Sequence, residues 1–378
     1  MNNLVEKSFL MVKSNSYAVA NVSVLLLWLL SFISKFLFQG EILGFDFGIF
    51  QPDGASYTFR TLSFLGEDET EAARRVSDWY AVHGINHNII DYKSLLPENS
   101  PVWYLSAPRI VYPLLSVPFV YLLGINGMLI VPALSLLIVL LLIIKISRDV
   151  SAIWAGFLVS ALTLCSTTIS RWMYANITDG LLVAEFAILL YLLHNNKKVK
   201  HWYLWVGIII IISSFTRFSA PIWFGIAIVI ASVREFRKAI FVLIVSLVGL
   251  IPLLMYSPTK ALFPNNREPE IQSQILQVAT QSVKVVFFEI AELFVLDRMF
   301  FLLLTSAVIL ASINFQYVWS KLFISSLVSC FTIGSINGTI GVNFRYYLPV
   351  IPFMLYSLIM TSSFKLGNRL HIKSKETQ

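Results

Sequence analysis

Two carboxylates, Asp46 and Asp53, lie just beyond the first long apolar run, in Phe45-Asp46-Phe47 and Gln51-Pro52-Asp53-Gly54-Ala55-Ser56-Tyr57. A carboxylate held at a membrane edge suits a general base toward a hydroxyl, or a ligand for a divalent cation beside a phosphate. The competing reading of Asp53-Gly54 is a turn preceded by proline with a solvated aspartate. Four arginines, Arg109, Arg171, Arg217 and Arg345, stand at or near the ends of other apolar runs. Guanidinium stays charged there and pairs bidentately with phosphate, so the set suits a lipid phosphate or pyrophosphate. A single arginine so placed more ordinarily snorkels to the interface or pairs with a loop carboxylate.

The elements that must position these groups are apolar helices. Of the 378 residues, 57% are hydrophobic and only 13% charged, which excludes an ordinary water-soluble globule. Runs such as Ile125 to Ile144 are apolar on every face, so they read as helices crossing a hydrocarbon core of ~30 Å rather than as the alternating strands of a barrel. Hydropathy predicts an all-α integral membrane protein of about ten transmembrane helices in one polytopic domain, 1–378, beginning with an uncleaved anchor near 17–38.

The formal charge of +7 resembles a nucleic-acid signal until the charges are placed. Lys197, Lys198 and Lys200, then Arg234, Arg237 and Lys238, and the basic tail 364–378 fall on one side, so the positive-inside rule predicts cytoplasmic termini in a plasma (inner) membrane and no nucleic-acid partner. The opposite side carries two long loops, 39–107 and 257–298. The first includes a polar helical stretch, Glu67 to Tyr80, and the second an amphipathic surface helix with Glu289, Glu292 and Asp297 on its solvated side. The segment 108–123, broken by Pro113 and Pro118, reads as re-entrant or interfacial, because a full crossing would invert the charge bias downstream.

Two acids or bases fall inside predicted spans, Lys35 and Glu185, and such groups are functional candidates by default. His83-x3-His87-x3-Asp91 would share one helical face, but Gly84 and Asn86 disfavour a helix there, so these read as surface histidines. Cys165 and Cys330 both fall in spans and cannot make a disulfide framework.

The order of these features resembles the GT-C superfamily of membrane glycosyltransferases. Asp53-Gly54-x-x-Tyr57 is similar to the Asp-Glu/Gly-x-x-Tyr pattern after its first span, and Arg109-Ile110-Val111-Tyr112-Pro113 resembles the Arg-x-x-Tyr-Pro closing the same loop. Thr178-Asp179-Gly180, Thr216-Arg217 and Arg345-Tyr346-Tyr347-Leu348-Pro349 resemble positions recurring at the outer ends of later spans. The resemblance implies inverting sugar transfer from a polyprenyl-phosphate donor to a glycan, lipid or protein acceptor at the extracytoplasmic face. Asp53 would be the base, with Asp46 its understudy. Tyr57, Arg109, Tyr112, Arg171, Asp179, Arg217, Arg345 and Tyr346 would bind substrate among the membrane lipids. Gly54 stands where many such enzymes have a second acid, which leaves any divalent cation open. The alternatives are a lipid-linked glycan polymerase or ligase, and a non-enzymatic lipid-carrier transporter.

Overall fold

The computed structural model describes residues 2–37, 51–82, 91–97, 106–217, 219–251, 291, 293–337 and 347–376. Among these residues the secondary structure is helical throughout, with no strand. The first helix, α1 (Asn2–Leu37), presents Val22, Leu26, Leu30 and Leu37 outward, a stripe of large apolar side chains that only a lipid or protein neighbour would cover. Two short helices of the first loop follow, α2 (Pro52–Phe64) and α3 (Glu69–Val82), and then a single turn, α4 (Tyr92–Leu95). Helix α3 is amphipathic: Ala72, Val76 and Tyr80, spaced i, i+4, i+8, form its buried stripe with Ala73 beside them, and its acidic first turn suits the helix dipole.

Helix α5 (Val111–Leu123) tolerates Pro113 in its first turn and Pro118 in its interior. The chain then turns at Gly124, whose φ of 62° suits a residue without Cβ, and runs through a 3-10 segment (Gly124–Leu129) into α6 (Ile130–Asp149). The 3-10 segment folds back beside α5, so that the Tyr112 hydroxyl donates to the Met128 carbonyl at 2.8 Å.

Helix α7 (Ile153–Cys165) and α8 (Thr167–Tyr174) are parted at Ser166 by a bend of 77°. The sequence reads one span over 150–169. Ser166 breaks it because its backbone is extended and its hydroxyl accepts from the Ile169 N–H at 3.0 Å, which starts a new helix. The rest of the bundle is α9 (Asp179–His194), α10 (Trp202–Thr216), α11 (Ala220–Ser232), α12 (Phe236–Val248), α13 (Arg298–Ile313), α14 (Val318–Asn337), a 3-10 turn (Leu348–Val350) and α15 (Ile351–Glu376). Between α10 and α11 Arg217 is extended, so the break expected there is present.

Helix α9 is the hub, packed on α6, α8, α10 and α15. Its Phe186 lies between Trp223 of α11, at 4.8 Å between ring centroids, and Phe353 of α15, at 5.9 Å. The Trp223 indole N–H is satisfied by the Ser213 and Ser219 hydroxyls, each at 3.0 Å, which lets a large ring with a polar edge sit in the apolar core.

The span count differs from the ten expected. Among the described residues two helical stretches, Asn15–Leu37 and Val111–Asp149, are long and apolar enough to cross a membrane, or three if α7 and α8 together form one bent span. The remaining apolar stretches among the described residues, Val318–Phe331 and Leu348–Ser363 included, run 10–17 residues. One of 13–16 residues rises only about 20–24 Å, less than a bilayer core of ~30 Å. Hydropathy registers apolar length but not the break at Ser166 that divides one such run.

Candidate functional site

Helix α2 begins with Gln51 in extended backbone and Pro52 as its first residue, so the sequence Gln-Pro-Asp-Gly starts a helix rather than an isolated turn. Asp53 sits in the first turn, exposed, where the helix dipole favours a negative charge. Around it the start of the helix is buried and tied down. The side-chain oxygen of Asn176 accepts from the Gln51 backbone N–H at 2.7 Å, and the Asn176 amide N–H donates to the Tyr80 hydroxyl of α3. Tyr80 is also hydrogen-bonded to Thr58, whose hydroxyl donates to the Gly54 carbonyl at 2.9 Å. Complete burial pushes the Tyr80 phenol well above its ordinary range, so it stays a neutral O–H able to both accept and donate.

Gly54 has a steric role here. A Cβ at this position would overlap the Asn176 side-chain amide, which is pinned from two sides. A second carboxylate at position 54 therefore has no room, and the paired-acid cation site of the resembled pattern is not available through this residue. No group of three or more His, Cys, Asp or Glu side chains able to hold a metal occurs among the described residues.

The other side of α2 meets the end of the first loop. The Arg109 guanidinium donates to the Tyr57 hydroxyl at 2.7 Å, and the Tyr57 ring stands edge-on to Tyr112 at 5.6 Å. Arg60 donates to the backbone carbonyls of Ser106 and Ala107, and the Thr61 hydroxyl reaches the Pro113 carbonyl at 3.3 Å. Asp53 and Tyr57 are four residues apart on one helix and so lie one above the other. The Arg109 guanidinium is thus tied to the residue one helical turn along α2 from Asp53.

Asn176 belongs to the short link between α8 and α9, and three residues later Asp179 forms a buried ion pair with Arg217. Three residues span at most about 11 Å, so the α2 clamp and this ion pair share one end of the bundle. Arg217 is only 5% exposed and its charge is met by Asp179, which corrects its expected role as a guanidinium open to a substrate phosphate. Deeper along α9, Glu185 accepts from the Thr216 hydroxyl at 2.6 Å. Its partner is therefore a hydroxyl on α10.

Arg171 lies elsewhere on α8, its guanidinium over the Trp172 ring at 5.6 Å, within electrostatic reach of Lys35 of α1. Asp297, expected on a solvated helix face, is instead 4% exposed and joins two helices. One of its oxygens accepts from the Phe300 N–H at 3.0 Å, capping α13. The other accepts from the Ser166 hydroxyl at 2.6 Å and the Thr168 N–H at 2.7 Å, bracing α8.

Asp46, Arg345 and Tyr346 lie outside the described residues, as do His83, His87, Glu289 and Glu292. Of the others, the structure brings Tyr57, Arg109 and Tyr112 into contact, with Asp53 on the same helix as Tyr57, ties the start of that helix to Asn176, three residues from the Asp179–Arg217 pair, and sets Lys35 within electrostatic reach of Arg171 and Asp297. Asn176 and Tyr80 were not expected as site residues. In the sequence Asn176 stands out only as the first residue of Asn-Ile-Thr, and its complete burial with both amide atoms bonded leaves no room for a glycan in the folded chain. Comparison with family models, curated proteins and solved structures finds no match.

Proposed function

We propose that the chain is an inverting membrane glycosyltransferase that moves a sugar from a polyprenyl-phosphate donor to an acceptor hydroxyl of a glycan, lipid or protein at the extracytoplasmic face. The observation that carries this reading is the 2.7 Å bond from Arg109 to Tyr57, one helical turn from an exposed Asp53 on a helix clamped at its start. An acid on a clamped helix and a guanidinium bonded to that same helix are the two groups that such a transfer needs. Asp53 takes the proton from the acceptor hydroxyl as its oxygen attacks the anomeric carbon. The bond from that carbon to the phosphate oxygen breaks on the opposite face, and the polyprenyl phosphate leaves with the bonding pair. Arg109 is the described guanidinium placed to meet the negative charge growing on that phosphate, since Arg217 is already engaged by Asp179. Two membrane-length apolar helices and the outward apolar stripe of α1 support a membrane setting.

The test uses the full chain reconstituted in lipid with polyprenyl-phosphate-linked radiolabelled sugars. Label entering lipid-extractable or polymeric product is expected, and Asp53→Asn should abolish it while leaving the unfolding transition in place. Normal turnover by Asp53→Asn would overturn the assignment. Label accumulating unchanged inside vesicles would mark a transporter instead.

A further inference from the structure

The Lys35 and Arg171 side chains form a two-cation site that neither the clamp at α2 nor the ion pair at Arg217 uses. Helices α1 and α8 touch with Phe32 against Tyr174, ring centroids 5.5 Å apart, and the Tyr174 hydroxyl donates to the Trp28 carbonyl at 3.3 Å. Lys35 lies three residues after Phe32 and Arg171 three residues before Tyr174, each about one helical turn from that contact, and the two cations are within electrostatic reach of each other. Lys35 is in the last turn of the membrane-length helix α1, and both side chains are half-buried. Asp297, within electrostatic reach of Lys35, has its oxygens taken up by the Ser166 hydroxyl and by the Thr168 and Phe300 N–H groups. Among the described residues one anion thus stands against two cations. The Arg171 Nε is buried and has no hydrogen-bond partner among the described residues. A buried guanidinium N–H left without an acceptor is costly, and a second cation within electrostatic reach adds to that cost, so the arrangement favours an anion from outside.

We propose that Lys35 and Arg171 together bind the phosphate group of an anionic membrane lipid where α1 ends. A lipid is the fitting source because the pair sits at the end of a helix whose exposed stripe, Val22 to Leu37, offers an apolar path for an acyl or prenyl chain leading to it. Guanidinium supplies a fork for two phosphate oxygens and ammonium a point charge beside it. The proposal does not depend on sugar transfer, since it concerns neither Asp53 nor Arg109.

The full chain would be reconstituted in phosphatidylcholine containing phosphatidylglycerol in one arm, polyprenyl phosphate in a second and inorganic phosphate in a third. Lipid retained after extraction into detergent would be counted by native mass spectrometry. The wild type should retain an acidic lipid in preference to phosphatidylcholine. Lys35→Gln and Arg171→Gln should each weaken retention about fivefold, and the two together about twenty-fivefold. Retention of both acidic lipids identifies a general headgroup site. Retention of polyprenyl phosphate alone identifies the carrier lipid, and competition by inorganic phosphate shows that the phosphate itself is recognised. Lys35→Arg and Arg171→Lys keep the charge and should retain most of the binding, which keeps the test decisive if a glutamine variant fails to fold. Equal retention by wild type and the double variant, or no preference over phosphatidylcholine, would overturn the proposal and mean that the pair is satisfied from within the chain.

Discussion

The clamp on α2 makes a prediction whose sign depends on one side chain. Gly54→Ala adds a methyl group that overlaps the Asn176 amide, well inside the ~3.5–4.0 Å of ordinary carbon contact. Asn176 cannot step aside without giving up the Gln51 N–H and the Tyr80 hydroxyl, so the substitution should destabilise the fold by about 1–3 kcal/mol, the usual range for overpacking. Asn176→Ala removes the two bonds outright and leaves their buried partners short, at about 1–3 kcal/mol for each group. On the Asn176→Ala background, however, the obstruction is gone and Ala is the better helix former by up to about 1 kcal/mol. There Gly54→Ala should be neutral or slightly stabilising, which gives a coupling of about 2 kcal/mol between the positions. The cycle is read from equilibrium unfolding of the four purified proteins in mixed detergent micelles. If Gly54→Ala costs the same in both backgrounds, Asn176 does not hold the start of α2, and the argument that Asp53 rides on a clamped helix fails with it.

The buried pair of Asp179 and Arg217 should behave as a unit: neutralising either one costs about 3–5 kcal/mol because the other charge is stranded, and neutralising both costs less than the sum. Strictly additive losses in the same unfolding assay would show that the two charges are not coupled. Asp297→Ala should cost about 2–4 kcal/mol by removing the caps of two helices at once. Hydrogen exchange at the Thr168 and Phe300 amides should accelerate together in that variant. A change at only one of them would show that Asp297 does not brace both helices.

Much of this arrangement was legible from the chain itself. Apolar length and the lack of strand alternation gave helices throughout, the polar stretch from Glu67 to Tyr80 is α3, and the break at Arg217 separates α10 from α11. Tyr57, Arg109 and Tyr112 stood out by residue type and are in contact, and Asp53 shares a helix with Tyr57 at i, i+4 spacing, a local property that sequence records. What lay beyond the sequence was who meets whom. Gln51 and Asn176 are 125 residues apart, and Ser166 and Asp297 are 131 apart. No periodicity connects such pairs, because their hydrogen bonds form only after packing has brought the helices together.

The same reason explains where expectation and structure part. An aspartate read alone is solvated, yet Asp297 is buried because two helix starts converge on it and supply three donors. An arginine at a helix end reads as open to phosphate, yet Arg217 is spent on Asp179, whereas Arg171, of the same type and similar setting, is left beside a second cation. Residue chemistry and helical spacing are carried by the sequence. Whether a given charge is satisfied or available is decided by the tertiary structure, because electrostatic and hydrogen-bonding energies depend on distances of a few ångströms between segments that only the packed fold brings close.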